Sequence, residues 1–164
     1  SRIVPEVVQA AGGTIVITKV GHTFVKAAMA EHNAIFGGEH SAHYYFRDFW
    51  GADTGMLAAL HVLAAVGHAE RPLSQLVARF DRYAASGEIN SQVEDQQMIM
   101  DRVATAFTGR GEQDRIDGLT ISGPDWWVNV RPSNTEPLLR LNVEAANAET
   151  MEALRDETLG LIRA

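Results

Sequence analysis

Three runs in the C-terminal half constrain the fold most: "LTIS" at Leu119–Ser122, "WWVNV" at Trp126–Val130 and "LLRLNVEA" at Leu138–Ala145. They are rich in β-branched and aromatic residues and bounded by Gly, Pro, Ser and Asn, the pattern of strands with a core-facing side. Short turns join them. A helical repeat precedes them over Asp95–Phe107, with Ile99, Val103, Ala106 and Phe107 on one face. Another follows, capped by Asn147, with Met151, Leu154, Thr158, Leu161 and Ile162 on one stripe. "EINSQV" adds a further strand. Short-linked strands flanked by helices make a small antiparallel-sheet α+β domain. Along "WWVNV" the two Trp rings face opposite sides, one into the core and one over an edge.

Upstream of "AASGE" (Ala84–Glu88) the pattern differs, so the chain divides into residues 1–86 and 87–164. A helix is expected from Ile3 to Ala11, with Pro5 in its first turn and Gly12-Gly13 ending it. "TIVIT" (Thr14–Thr18) reads as a buried strand, Thr23–Glu31 as a helix and "AIFGG" as another strand. That order suggests a parallel α/β layer. "HYYF" is a strand, and "ADTGMLAALHVLAAVG" a helix capped by Asp53 or Thr54. Its apolar stripe is Met56, Leu57, Leu60, Leu63 and Ala64. A second helix follows Pro72, with Leu73, Leu76, Val77 and Phe80 inward.

A chain of 164 residues suits one ordinary domain or two small ones. Its net charge of -7 argues against binding a nucleic-acid backbone. The absence of cysteine removes disulfide frameworks and thiolate metal sites, and fits a cytoplasmic chain. No apolar run approaches a membrane span, and no signal peptide is visible. The first residues, "SRIVPEVVQ", lack an initiator Met and enter a helix at once, as expected of a piece of a longer protein or of a chain whose tag has been removed.

Two loops carry chemistry. "RPSNTEP" (Arg131–Pro137) lies between two strands. Arg131 offers a permanently charged fork suited to phosphate, Ser133 and Thr135 offer hydroxyls, and Asn134 an amide. Turn N–H groups can add an anion nest. Glu136 is expected to turn outward or to pair with Arg131 or Arg140. The same composition also fits an ordinary polar hairpin turn. "FGGEHSAHYYF" (Phe36–Phe46) places Glu39, His40, Ser41 and His43 in one loop. Glu39 can accept from two sugar hydroxyls, with Ser41 and His43 adding bonds. Glu39, His40 and His43 are also zinc-type ligands, although on an extended segment the two histidines face opposite sides. A polar turn with solvated histidines is the third reading. His22, after Gly21 at a helix start, is either a ligand contact or a half-buried structural residue.

In this order, "KVGH", "GGEHSAH", "ADTG" and "RPSNTEP" resemble the phosphohexomutase family, the phosphomannomutase/phosphoglucomutase enzymes, over almost the whole chain. The resemblance implies most of the third domain, without its N-terminal strands, followed by the complete fourth. The expected fold is therefore a truncated three-layer α/β domain followed by a small α+β domain. It further implies a parent isomerase that shifts phosphate between the 1- and 6-positions of a hexose, through a phosphoserine and a bisphosphorylated sugar, with Mg²⁺ assisting. By resemblance, Gly21, His22, Glu39, Ser41 and His43 meet the sugar, and Arg131, Ser133, Asn134 and Thr135 hold the phosphate that is not reacting. The phosphoserine loop and the Asp-rich Mg²⁺ loop have no counterpart here, so the implied partners are hexose phosphate and the parent's N-terminal domains. A sheet edge left open by the missing strands invites self-association. The alternative is a stand-alone sugar-phosphate-binding module. The family loop usually has Gly where this chain has Ala42, which matters if the position requires positive φ.

Overall fold

Alternation decides the C-terminal sheet. In the computed structural model, which describes residues 1–133 and 136–164, Trp126, Val128 and Val130 are buried while Trp127, Asn129 and Arg131 are half-buried. Leu139, Leu141, Val143 and Ala145 are buried on the facing strand, and Val128↔Val143 and Val130↔Leu141 stand opposite one another. The period of two turns one side of the sheet into core and leaves the other half-covered.

The described residues form, in chain order, α1 (Ile3–Ala10), α2 (His22–His32), β1 (Phe36–Gly38), β2 (Tyr44–Phe46), a 3₁₀ turn (Arg47–Phe49), β3 (Ala52–Asp53), α3 (Gly55–Ala69), α4 (Leu73–Ala78), β4 (Ala84–Ala85), β5 (Ile89–Gln92), α5 (Gln96–Ala106), β6 (Glu112–Asp114), β7 (Leu119–Ser122), β8 (Trp126–Pro132), β9 (Leu138–Ala145) and α6 (Ala148–Arg163). Two compact units contain them: Pro5–Asp81, and Arg82–Ala164 together with Ser1–Val4.

In the C-terminal unit the sheet runs β4-β9-β8-β7-β6, and β5 also pairs with β9; every pairing is antiparallel. Helices α5 and α6 close the core with Ile99, Met100, Val103, Phe107, Met151, Leu154 and Ile162. Both helices start on side-chain caps: Asp95 accepts from Met98 N–H at 2.9 Å, and Asn147 from Thr150 N–H at 2.8 Å. Thr158, at a fully buried position of the α6 stripe, donates its hydroxyl to Leu154 O at 2.7 Å, so its polar group is satisfied inside the helix. Of the two Trp rings, Trp126 enters the core and Trp127 donates to Glu144 at 3.1 Å on the opposite face.

In the N-terminal unit the strands form an antiparallel sheet in the order β1-β2-β3. Val25 and Met29 of α2 pack with Tyr45 of β2. The helix comes close because β1 presents Gly37, where an added Cβ would lie 2.9 Å from both Val25 and Met29.

Four local expectations change here. The order helix–strand–helix–strand suggested that residues 14–18 and β1 lie parallel in one layer, but only the second of these forms a strand; β1 pairs instead with β2, and the connection over residues 39–43, too short for a crossover, makes that pair antiparallel. Residues 14–18 form no strand. Their backbone finds no ladder partner among the described residues, and Ile17 is 69% exposed. The stripe of α3 is present in sequence but not covered: Met56, Leu60 and Leu63 are 78%, 56% and 65% exposed. On α4, Leu73 and Val77 are likewise exposed, while Leu76 and, just beyond the helix, Phe80 are half-buried. An apolar stripe records which face would be buried; burial itself needs an opposing surface.

Candidate functional site

The β1–β2 hairpin builds the first site. Glu39 N–H donates to His43 O at 2.9 Å, Ala42 N–H donates to Glu39 O at 3.0 Å, and Ala42 has φ 65°. This is a three-residue hairpin loop closed by a left-handed bulge residue, the position glycine usually fills. The loop projects Glu39, Ser41 and His43 toward the start of α2. There Gly21, at φ 131° and ψ 135°, directs its N–H to Glu39 Oε2 at 3.0 Å. That backbone conformation is open essentially to glycine alone.

A cavity of about 400 Å³ results, lined by Gly21, His22, Lys26, Glu39, Ser41, His43, Tyr45 and Asp53. Its size falls within the ~300–1,000 Å³ typical of small-molecule sites. Five of the eight are the residues that the family resemblance assigns to the sugar: Gly21, His22, Glu39, Ser41 and His43. His40 does not line it, so the structure does not gather the Glu39–His40–His43 set read as zinc ligands. Among the described residues, no group of three or more His, Asp or Glu side chains is placed to hold a metal ion.

The cavity also takes in Lys26, Tyr45 and Asp53, which the sequence does not mark as site residues. Lys26 lies one turn after His22 on α2, a spacing that places both on one face. Of the two expected caps of α3, Asp53 and Thr54, it is Thr54 that accepts from Leu57 N–H, at 3.3 Å, which leaves Asp53 free to face the cavity. Tyr45 and Asp53 stand opposite each other across β2 and β3. That pairing places Asp53 Oδ2 2.5 Å from His43 Nδ1, while Asp53 Oδ1 accepts from Tyr44 N–H at 3.2 Å. The hydrogen bond that His43 donates to Asp53, and the Asp53 charge, hold the His43 pKa above its ordinary 6.5, and the same bond holds the Asp53 carboxyl below its ordinary value. A carboxylate on Nδ1 fixes the ring and leaves Nε2 as the nitrogen that can give or take a proton. The buried Tyr45 hydroxyl donates to Glu39 Oε1. Burial, then the Glu39 bond, push the Tyr45 pKa well up, so it remains a donor. Glu39 thus has one protein donor on each oxygen and keeps lone pairs for a ligand.

The second site lies in the C-terminal unit, on the sheet face away from the core. Arg131 of β8 and Arg140 of β9 are directly opposed. Like charges facing each other across strands repel, and Glu88, just before β5, stands between them. Its Oε2 lies 3.1 Å from Arg131 Nη2 and its Oε1 3.1 Å from Arg140 Nη1. Glu136, expected to pair with one of these arginines or to turn outward, is exposed. Glu88 belongs to the segment read as a boundary, and the cue available in sequence was its place immediately before a strand. Ser133 N–H donates to Leu138 O at 2.9 Å, closing the loop stem. Gln96 Nε2 donates to Leu138 O at 2.9 Å, tying the same stem to α5. Asn134 and Thr135 lie outside the described residues. The sugar-type residues and Arg131 belong to different units.

Residues 1–83 match the domain described as phosphoglucomutase/phosphomannomutase, alpha/beta/alpha domain III. Residues 88–161 match the phosphoglucomutase/phosphomannomutase C-terminal domain. The chain belongs to the phosphoglucomutase/phosphomannomutase family. It is 41% identical over 162 residues to a phosphomannomutase of Methanocaldococcus jannaschii, covering 99% of this chain and 36% of that relative. A Salmonella montevideo phosphomannomutase is 46% identical over 159 residues, 95% of this chain and 35% of the relative. A crystal structure of a phosphoglucomutase/phosphomannomutase family protein from Burkholderia thailandensis superposes with a TM-score of 0.83 at 28% identity, covering 98% of this chain and 34% of that one. The chain therefore spans about a third of the length of the family relatives it matches.

Proposed function

We propose that this chain supplies the sugar- and phosphate-recognition surfaces of a cytoplasmic phosphohexomutase that interconverts hexose 1-phosphate and hexose 6-phosphate, with mannose or glucose as the sugar. The observation that carries the reading is the joint lining of one cavity by Gly21, His22, Glu39, Ser41 and His43. A carboxylate oriented by Gly21 N–H and Tyr45 O–H accepts from adjacent hydroxyls in either of two sugar orientations. Arg131, with Ser133, Asn134 and Thr135 of its loop, takes the phosphate that is not reacting. Binding energy at that remote group orients the reacting end. Residues 1–86 serve as the sugar-binding domain and 87–164 as the phosphate-binding domain.

The phosphoryl donor and the Mg²⁺ site of this reading belong to other domains of a longer protein. No step assigned to this chain runs through the metal. Alone, the chain recognises and does not turn over. Calorimetric titration with mannose 6-phosphate tests the division of labour. Arg131→Ala is expected to weaken binding about tenfold or more, the scale of a lost charge-assisted hydrogen bond. Unchanged affinity would contradict the phosphate assignment.

A further inference from the structure

We propose that Arg140 is a second cation of the phosphate anchor and that Glu88 is its built-in counter-ion, which limits how tightly the anchor holds an anion. The inference rests on the reading of Arg131 as the phosphate residue.

The arrangement is fixed by the sheet. Arg131 and Arg140 are register partners on β8 and β9, and Glu88 leads directly into β5, where Ile89 pairs with Leu141 and Asn90 with Arg140. The Glu88 carboxylate reaches both guanidinium groups at 3.1 Å, and its side chain is 26% exposed. One nitrogen of each arginine meets the carboxylate, whereas a guanidinium carries five N–H donors. An anion can therefore bind beside Glu88 without displacing it.

The backbone of β5 tethers Glu88 in place, so a bound phosphate always feels its charge. The three side chains sum to one positive charge where two arginines alone would give two. A phosphate monoester is close to a dianion at neutral pH, and the missing charge weakens its hold. Such an anchor suits a ligand that must be released or turned around within a reaction, because affinity shared equally by all bound states only slows departure.

The test is titration of the 164-residue chain with inorganic phosphate, followed by the amide signals of β8 and β9. Glu88→Gln keeps the size and removes the charge. It is expected to bind phosphate about threefold tighter or more, the scale of one screened like-charge repulsion near the surface. Glu88→Asp, which restores the charge, is expected to return affinity toward the original. Arg140→Gln is expected to bind about threefold more weakly by the same arithmetic, and it keeps the inference testable should Glu88→Gln fail to fold. Equal or weaker binding by a folded Glu88→Gln chain, or unchanged binding by Arg140→Gln, would overturn the inference while Arg131→Ala still abolishes the response. If Arg131→Ala leaves the response intact, the phosphate reading of the loop falls, and this inference with it.

Discussion

Ala42 occupies a left-handed backbone position, φ 65°, at the bulge of the loop that carries Glu39 and Ser41. For an L-residue with a Cβ this conformation costs ~1–2 kcal/mol. Glycine would remove the strain but lose ~0.4–1 kcal/mol through a more flexible unfolded chain. Ala42→Gly is therefore expected to raise stability by about 0.5–1 kcal/mol. A denaturant midpoint that moves up at unchanged slope checks it, and a lower midpoint would contradict it. The neighbouring His43–Asp53 pair sets a pH dependence. His43 is raised in the folded chain, so its contribution is complete below its unfolded pKa of about 6.5 and disappears as pH rises through the folded value. Asp53 is lowered, so its contribution is complete above about 3.8 and disappears as pH falls through its folded value. The window of benefit lies between those limits. An NMR titration of the His43 ring should give a midpoint above 6.5 that moves down in Asp53→Asn; identical midpoints would sever the pair. The pair was not legible in the sequence because Asp53 meets His43 only after β3 folds back on β2. Glu39, Ser41 and His43 were legible because one loop carries all three.

At the scale of elements, the two halves of the chain differ in what periodicity could reveal. In the C-terminal unit the stripes of α5, β8, β9 and α6 supply most of the buried set, because each apolar face meets another, although Ala106 of the expected α5 face is exposed and Met100 is buried in its stead. The two-residue strand β4 and the polar strand β6 offered no alternation to read. In the N-terminal unit, residues 14–18 and the stripe of α3 read as buried, yet Ile17 and Leu63 face out. The residue types mark a surface made for burial, and packing supplies the energy only where an opposing surface is present. Leu141→Ala is accordingly expected to cost ~2–5 kcal/mol, from lost transfer energy and a residual cavity. Leu63→Ala should change stability by no more than ~0.5 kcal/mol. Paired denaturation curves on the full chain, read by a probe within each unit, check the contrast. Equal losses would mean that the α3 face is covered in solution, as self-association through an open edge would produce.

Across the whole molecule, family membership rests on both units, and the functional reading assigns each its own half of a hexose phosphate. The cavity beside Glu39 offers a carboxylate, a hydroxyl and imidazoles, groups that suit adjacent sugar hydroxyls. The sheet face bearing Arg131, Arg140 and Glu88 offers a tempered positive charge that suits a phosphate. Neither assignment needs the other to be tested. Amide shifts of the isotope-labelled chain, followed through separate titrations with inorganic phosphate, methyl mannoside and mannose 6-phosphate, examine both at once. The account predicts that phosphate moves the signals of residues 88–90 and 130–141 only, that the glycoside moves those of residues 21–26 and 39–45 only, and that mannose 6-phosphate moves both sets. Phosphate signals confined to the Glu39 cavity, or glycoside signals confined to the Arg131 strand, would contradict it.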